Sequence, residues 1–167
     1  MAILYARKIH VPLPCGLVLI SPWLDLTLNE TLNSPAMATD FLITFKDANR
    51  GIVDTLLPSN TEPGDPCASP VFDDLASLPP QLVFAGTAEV LLPDSTNWAR
   101  KSLEAGNEIE FIRGKGEMHT YSPLFPDLSQ TLIFFQVCYG LADMLHFCRE
   151  RDRLYITEFS ETVPRLS

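Results

Sequence analysis

Short apolar runs recur along this 167-residue chain. They read CGLVLI at 15–20, QLVFAG at 81–86 and EIEFIRG at 108–114. Apolar runs of this length, bounded by turn formers, are typical of strands buried on both faces of a parallel sheet. Between the second and third runs, residues 93–107 predict a helix with Pro93 in its first turn and Gly106 as its stop. Strand, helix and strand within about 30 residues form a βαβ unit, so we expect an α/β fold.

The remaining segments have other patterns. Residues 22–80 hold many prolines and turn formers without a long strand, which predicts helices and loops crossing the sheet as part of a lid or pocket wall. Residues 128–148 read as a mostly apolar helix that packs on the sheet. Residues 1–148 are therefore interpreted as one partial domain. Residues 149–167 are interpreted as a charged, patternless and mobile tail.

Charge and composition exclude several classes of protein. The net charge is −9 and 46% of the residues are hydrophobic, with no basic cluster, so the chain is globular and nucleic acid is not an expected partner. Neither a signal peptide nor an apolar stretch of about 20 residues is present, which leaves the cytoplasm as the default expectation. The four cysteines are scattered without metal-ligand spacing. We expect most of them to be buried free thiols and expect no metal or cofactor.

Two polar residues follow the predicted strands of the βαβ unit. Glu89 lies just after the second strand and His119 just after the third. Because reactive groups collect at the carboxyl ends of parallel strands, these side chains are expected to be neighbours, and a carboxylate can hold an imidazole as a general base. The alternatives are that His119 is a surface or capping residue and that Glu89 only begins a turn. Asp94 is a fallback acid, although its position suits the start of the helix.

Longer phrases of the sequence add a family resemblance. GLVLISPWLDLT, DPCASPVFDDLASLPPQLVFAGTAEVLLPDS and GEMHTY occur in this order. Together they resemble the hormone-sensitive-lipase-like branch of the α/β hydrolases, the fold-3 family of carboxylesterases that includes fungal steryl acetyl hydrolase-like esterases. The resemblance implies the C-terminal part of that fold, with about three parallel strands, flanking helices and part of a lid. It places Glu89 at the family's catalytic acid, often an Asp, and His119 at its catalytic His.

Two elements of the family pattern are absent from this sequence. No two of the eight glycines are four residues apart, so the chain contains no G-x-S-x-G nucleophile elbow, and it has no HGGG-type oxyanion loop. Ser21 and Ser122 lack the glycine-flanked elbow and are not expected to be nucleophiles; Ser21 is expected to shape the turn out of its strand. We therefore expect a chain that is inactive alone.

Two interpretations of function follow. The chain is either the C-terminal portion of a carboxylic-ester hydrolase, or a non-catalytic hydrolase remnant that acts as a binding or interaction module. In the first case a small ester would be the substrate once the missing half is supplied, with Leu24, Phe41 and Leu42 lining its pocket or belonging to the core. In both cases the first strand is expected to have an open apolar edge that favours self-association.

Overall fold

The computed structural model describes residues 2–40, 42–43, 53–55, 57, 60–121 and 155–159. Its centre is a four-stranded parallel sheet in the order β1 (Leu17–Ile20), β2 (Gln81–Gly86), β3 (Ile109–Gly114) and β4 (Tyr155–Phe159). The range predicted for the second strand is confirmed. The first and third strands begin slightly later than predicted, and the α/β class is correct.

In the described part of the chain, helices α1 and α2 flank the sheet. Helix α1 covers Ala2–Lys8, and helix α2, Leu92–Glu104, connects β2 to β3. As predicted for a helix stop, Gly106 follows α2 with a φ of 82°, a conformation that costs glycine little. The expected βαβ unit is therefore present.

One hydrophobic cluster joins both helices to the sheet. It contains Ile3 and Leu4 of α1, Leu19 of β1 and Trp98 of α2. The Trp98 indole N–H also donates to the side chain of Gln81 at 2.7 Å, so these two buried polar groups satisfy each other. Leu103, also on α2, is 37% exposed.

The described residues between β1 and β2 form irregular backbone and short helices, in agreement with the sequence. Three 3-10 helices cover Thr31–Asn33, Pro35–Ala38 and Pro70–Phe72. Leu24 is buried in the cluster that joins the helices to the sheet, whereas Leu42 is 47% exposed. Phe41 lies outside the described residues. Leu24 is thus a core residue, as one of the two alternatives predicted.

Other expectations are corrected or lie outside the described residues. Cys15 and Cys67 are free but exposed, so the prediction of buried thiols is wrong for both. Strand β4 lies within residues 149–167, where the sequence pattern indicated no element. The predicted helix at 128–148 lies outside the described residues, as does Ser122. Within the described part of the chain, no helix has the length and apolar character needed to cross a bilayer.

Candidate active site

Three successive strands each deliver one polar side chain to the same edge of the sheet. Ser21 directly follows β1, Glu89 lies in the loop after β2, and His119 lies in the loop after β3. Parallel pairing of β1 with β2 and of β2 with β3 brings these loops together. The structure thus places the two predicted site residues side by side and adds a serine to them.

Glu89 and His119 face each other through two buried polar atoms. Glu89 Oε1 and His119 Nδ1 are 3.9 Å apart, and neither atom has a hydrogen-bond partner among the described residues. The Glu89 side chain is fully buried, whereas that of His119 is 16% exposed. A slight approach of the ring would form a charge-assisted hydrogen bond, the arrangement in which a carboxylate orients a catalytic imidazole.

The second oxygen of Glu89 is held by two donors. The Ser21 hydroxyl donates to Glu89 Oε2 at 2.6 Å, and the Gly86 backbone N–H donates to it at 3.0 Å. The carboxylate is thus fixed by the ends of β1 and β2, and Oε1 remains for His119. The contact with Gly86 also shows that Glu89 does more than begin a turn.

Burial shifts the proton affinities of both groups. Burial raises the pKa of Glu89 to about 7, although the hydrogen bonds from Ser21 and Gly86 oppose this rise. Burial lowers the pKa of the His119 imidazole, while the nearby Asp40 carboxylate opposes that change. The neutral imidazole required of a general base is therefore favoured near neutral pH.

The loop that carries His119 packs directly on the end of β2. A Cβ placed on Gly86 would lie 2.1 Å from the Glu117 carbonyl oxygen and 2.7 Å from that of Met118. The Ala88 N–H also donates to the Glu117 carbonyl at 3.0 Å. Only glycine permits this close approach, so Gly86 helps to set the position of His119.

Asp94, the fallback acid, has a different set of partners. Its Oδ2 accepts from the backbone N–H groups of Leu24 and Asp25 at 2.8 and 2.9 Å, and its Oδ1 accepts from the Thr31 hydroxyl at 3.1 Å. Burial raises the pKa of Asp94 to about 6. The carboxylate ties α2 to the segment after β1, so Glu89 is the acid that faces His119.

One carboxylate and the contacts of one serine at this site were not predicted from the sequence. Asp40 is buried, and its Oδ2 accepts from the Val90 N–H at 2.9 Å, next to Glu89. Ser21, expected only to shape a turn, donates to Glu89. No local motif marks either residue, because their partners are distant in sequence.

This arrangement, a parallel sheet with a carboxylate and a histidine after successive strands, defines the class as an α/β hydrolase. Comparison with known proteins supports this class. The model of a family described as alpha/beta hydrolase fold matches residues 1–122. An esterase of Acinetobacter venetianus is 37% identical over 123 residues, which cover 72% of this chain and 40% of the esterase. An acetyl-hydrolase of Streptomyces hygroscopicus is 33% identical over 124 residues, 72% of this chain and 41% of that protein.

Solved structures show the same relationship. A hormone-sensitive lipase from a metagenome library superposes with a TM-score of 0.74 at 29% identity, over 84% of this chain and 48% of the lipase. The homologue EstE7, also from a metagenome library, superposes with a TM-score of 0.74 at 31% identity, over 83% of this chain and 48% of EstE7. The chain therefore belongs to the hormone-sensitive-lipase-like, fold-3 family of α/β hydrolases. It spans less than half the length of each of these relatives.

Proposed function

We propose that this chain is the C-terminal portion of a serine-type carboxylic-ester hydrolase, in which Glu89 is the catalytic acid and His119 the catalytic base. The observation that carries this proposal is the approach of Glu89 Oε1 and His119 Nδ1 to 3.9 Å, both buried and without another partner in the described residues. An isolated histidine in a surface loop would not have a buried carboxylate oxygen directed at its ring.

The chemistry of the pair follows from this geometry. With Nδ1 directed at Glu89, the opposite ring nitrogen, Nε2, is the atom that can accept a proton from a nucleophile. The imidazolium formed in that step would be stabilised by the Glu89 carboxylate, which also holds the ring in the required tautomer. The same proton would then pass to the leaving alcohol of the ester.

The nucleophile is not part of this proposal for the chain itself. The 167 residues contain no G-x-S-x-G sequence and no HGGG sequence. A covalent acyl-enzyme requires an activated serine and donors for the oxyanion, so we propose that the chain is inactive until another polypeptide segment supplies both.

The relatives suggest the class of substrate. The two curated relatives are an esterase and an acetyl-hydrolase, and a crystal of the solved relative EstE5 was soaked with p-nitrophenyl butyrate. We therefore propose small esters with short acyl chains as substrates of the completed enzyme.

A chimera tests this proposal. The segment of the Acinetobacter esterase that aligns with this chain is replaced by this chain, and hydrolysis of p-nitrophenyl butyrate is measured. The chimera should be active, and His119→Ala or Glu89→Gln should lower kcat by about 10³-fold or more. Gly64→Ala is a matched control, because its new Cβ would meet only Thr27 Cγ2 at 3.7 Å. This variant should retain activity.

The isolated chain completes the experiment. It should neither hydrolyse the ester nor react with a fluorophosphonate probe. Labelling of a serine in the isolated chain, with activity lost in His119→Ala, would show that the chain carries its own nucleophile. A folded chimera that is active and indifferent to His119→Ala would refute the assignment of the base.

The alternative is a non-catalytic module that binds another protein chain. Among the described strands β1 lies at an edge of the sheet, and this position favours the alternative, as do the exposed Tyr5, Ile9 and Val11 on and beside α1. A chimera that folds but remains inactive would favour this alternative over the hydrolase.

A further inference from the structure

Ser21 occupies an unusual backbone position at the site. It directly follows β1, is only 4% exposed and has a φ of 43°, in the left-handed region that non-glycine residues rarely adopt. Its N–H donates to the Phe84 carbonyl at 2.7 Å, which extends the pairing of β1 with β2. Backbone strain of this kind persists only where surrounding contacts hold it, and it is concentrated at functional sites.

The Ser21 hydroxyl joins the two loops that carry the acid and the base. It accepts from the Thr120 backbone N–H at 3.0 Å and lies 2.6 Å from Glu89 Oε2. Because an N–H can only donate and a hydroxyl has one hydrogen, that hydrogen is directed at Glu89. The relay runs from Thr120 through Ser21 to Glu89 and favours the ionised carboxylate.

The hydrogen bond between the Thr120 N–H and Ser21 affects His119, because Thr120 and His119 are adjacent in the chain. Thr120 is the next residue after His119 and has a φ of 51°, which is exceptional for a β-branched residue. The hydrogen bond from its N–H to Ser21 therefore helps to hold the backbone turn that directs the His119 ring.

From these contacts we infer that Ser21 is a positioning residue, which occupies Glu89 Oε2 and anchors Thr120 so that Glu89 Oε1 is presented to His119 Nδ1. This inference rests on the proposed function of the pair. Ser21 touches neither a substrate nor a nucleophile in this role. It acts through Glu89 and His119.

Other charged groups also surround the pair. Asp40, from the segment after β1, interacts electrostatically with both Glu89 and His119, and Asp94, from α2, interacts with Glu89. Glu117, from the loop after β3, and Glu89 itself both interact electrostatically with Tyr121. None of these groups is altered by substitution of Ser21, so a change in the His119 tautomer would report on the hydroxyl contact.

The tautomer of His119 provides the test. At about pH 8.5, above the pKa of Glu89, an ionised carboxylate at Nδ1 requires a hydrogen on that nitrogen. Long-range ¹H–¹⁵N correlation spectra of the full chain distinguish the Nδ1–H and Nε2–H forms. The chain has three histidines, and His119→Gln identifies the relevant signal.

Wild type should show mostly the Nδ1–H form, and Ser21→Ala should reduce that population by half or more. Ser21→Gly is a second variant that removes the hydroxyl while relieving the positive φ, so it should fold even if Ser21→Ala does not. Ser21→Gly should show the same decrease in the Nδ1–H population.

Ser69→Ala is the matched control. Ser69 is also buried, and its hydroxyl likewise accepts from a backbone N–H, that of Leu26 at 2.7 Å, and donates to a carbonyl, that of Pro63 at 2.5 Å. Ser69→Ala should leave the tautomer of His119 unchanged.

The outcomes separate this inference from the proposed function. If folded Ser21→Ala and Ser21→Gly keep the wild-type population of the Nδ1–H form, the role of Ser21 is overturned but the proposed function is not. The same holds if Ser69→Ala lowers that population as much as the Ser21 variants do. A wild type that shows mostly Nε2–H would overturn both the role of Ser21 and the Glu89–His119 pair. An inactive chimera with the expected tautomers would overturn only the proposed hydrolase.

Discussion

Glu89 Oε1 and His119 Nδ1 face each other at 3.9 Å, while the second carboxylate oxygen of Glu89 is held by Ser21 and Gly86. The two oxygens therefore have separate contacts, one fixing the carboxylate to the sheet and one directed at the His119 ring. Glu89 therefore connects the ends of β1 and β2 to the loop that carries His119.

The first prediction concerns Glu89→Gln and pH. Because the pKa of Glu89 is raised from 4.5 to about 7, the folded chain retains a proton in this window that the unfolded chain has released. Stability from this group thus falls as pH rises from 4.5 to 7. The neutral glutamine should gain stability over wild type across that window, by at most about 3 kcal/mol.

Urea unfolding of both proteins at several pH values measures this gain. The lowered pKa of His119 gives the opposite slope, with stability rising as pH rises, but it is present in both proteins. Exposed Glu104, paired with Arg100, is the control site, and Glu104→Gln should change the unfolding free energy by less than about 1 kcal/mol. A difference between Glu89→Gln and wild type that does not vary with pH would contradict the raised pKa.

The second prediction distinguishes Asp94 from Glu89. Asp94→Ala leaves the buried N–H of Leu24 and that of Asp25 without their acceptor, so it should cost about 2–4 kcal/mol of unfolding free energy. In the active chimera, the milder Asp94→Asn should keep kcat within about tenfold of wild type, whereas Glu89→Gln should not. A larger decrease in kcat for Asp94→Asn than for Glu89→Gln would indicate that Asp94 is the catalytic acid.

The third prediction concerns the close approach at Gly86. Gly86→Ala would place a Cβ 2.1 Å from the Glu117 carbonyl oxygen, so the loop that carries His119 must move. Overpacking of this kind should cost about 1–3 kcal/mol or more in urea unfolding and disturb the His119 NMR signal. Gly64→Ala, whose Cβ has ordinary contacts, should be neutral or slightly stabilising. Equal effects of the two substitutions would contradict the role of Gly86.

The fourth prediction concerns the edge of the sheet. Among the described strands β1 pairs only with β2, and Val18 in its centre is half-buried. The isolated chain should self-associate through this edge, and Val18→Lys should shift its size-exclusion elution towards the monomer, because an edge lysine disfavours pairing with another strand. Leu32→Lys, at an exposed site outside the strand and away from α1, should leave the elution volume unchanged. A wild type that elutes as a monomer at all concentrations would contradict this prediction.

Much of the βαβ unit is predictable from local pattern. QLVFAG is buried at all six positions, and such a run needs no partner to be recognised as a central strand. Gly106 likewise marks the end of α2 through its own backbone preference. Strand β4 was missed because YITEF lies in a charged stretch, and its strand conformation accompanies pairing with β3.

By itself the sequence determined the α/β class and the βαβ unit of β2, α2 and β3, and it marked Glu89 and His119 as the candidate site residues. Buried runs, turn formers and the polar residues after them are local features, and parallel pairing places their loops at one edge. Only the tertiary structure decided that Ser21 fixes the acid, that Asp94 ties α2 to the segment after β1, and that Gly86 sets the approach of the His119 loop. These contacts join residues that are distant along the chain, and the distances and hydrogen-bond directions that define them arise only when the strands pair and the loops pack.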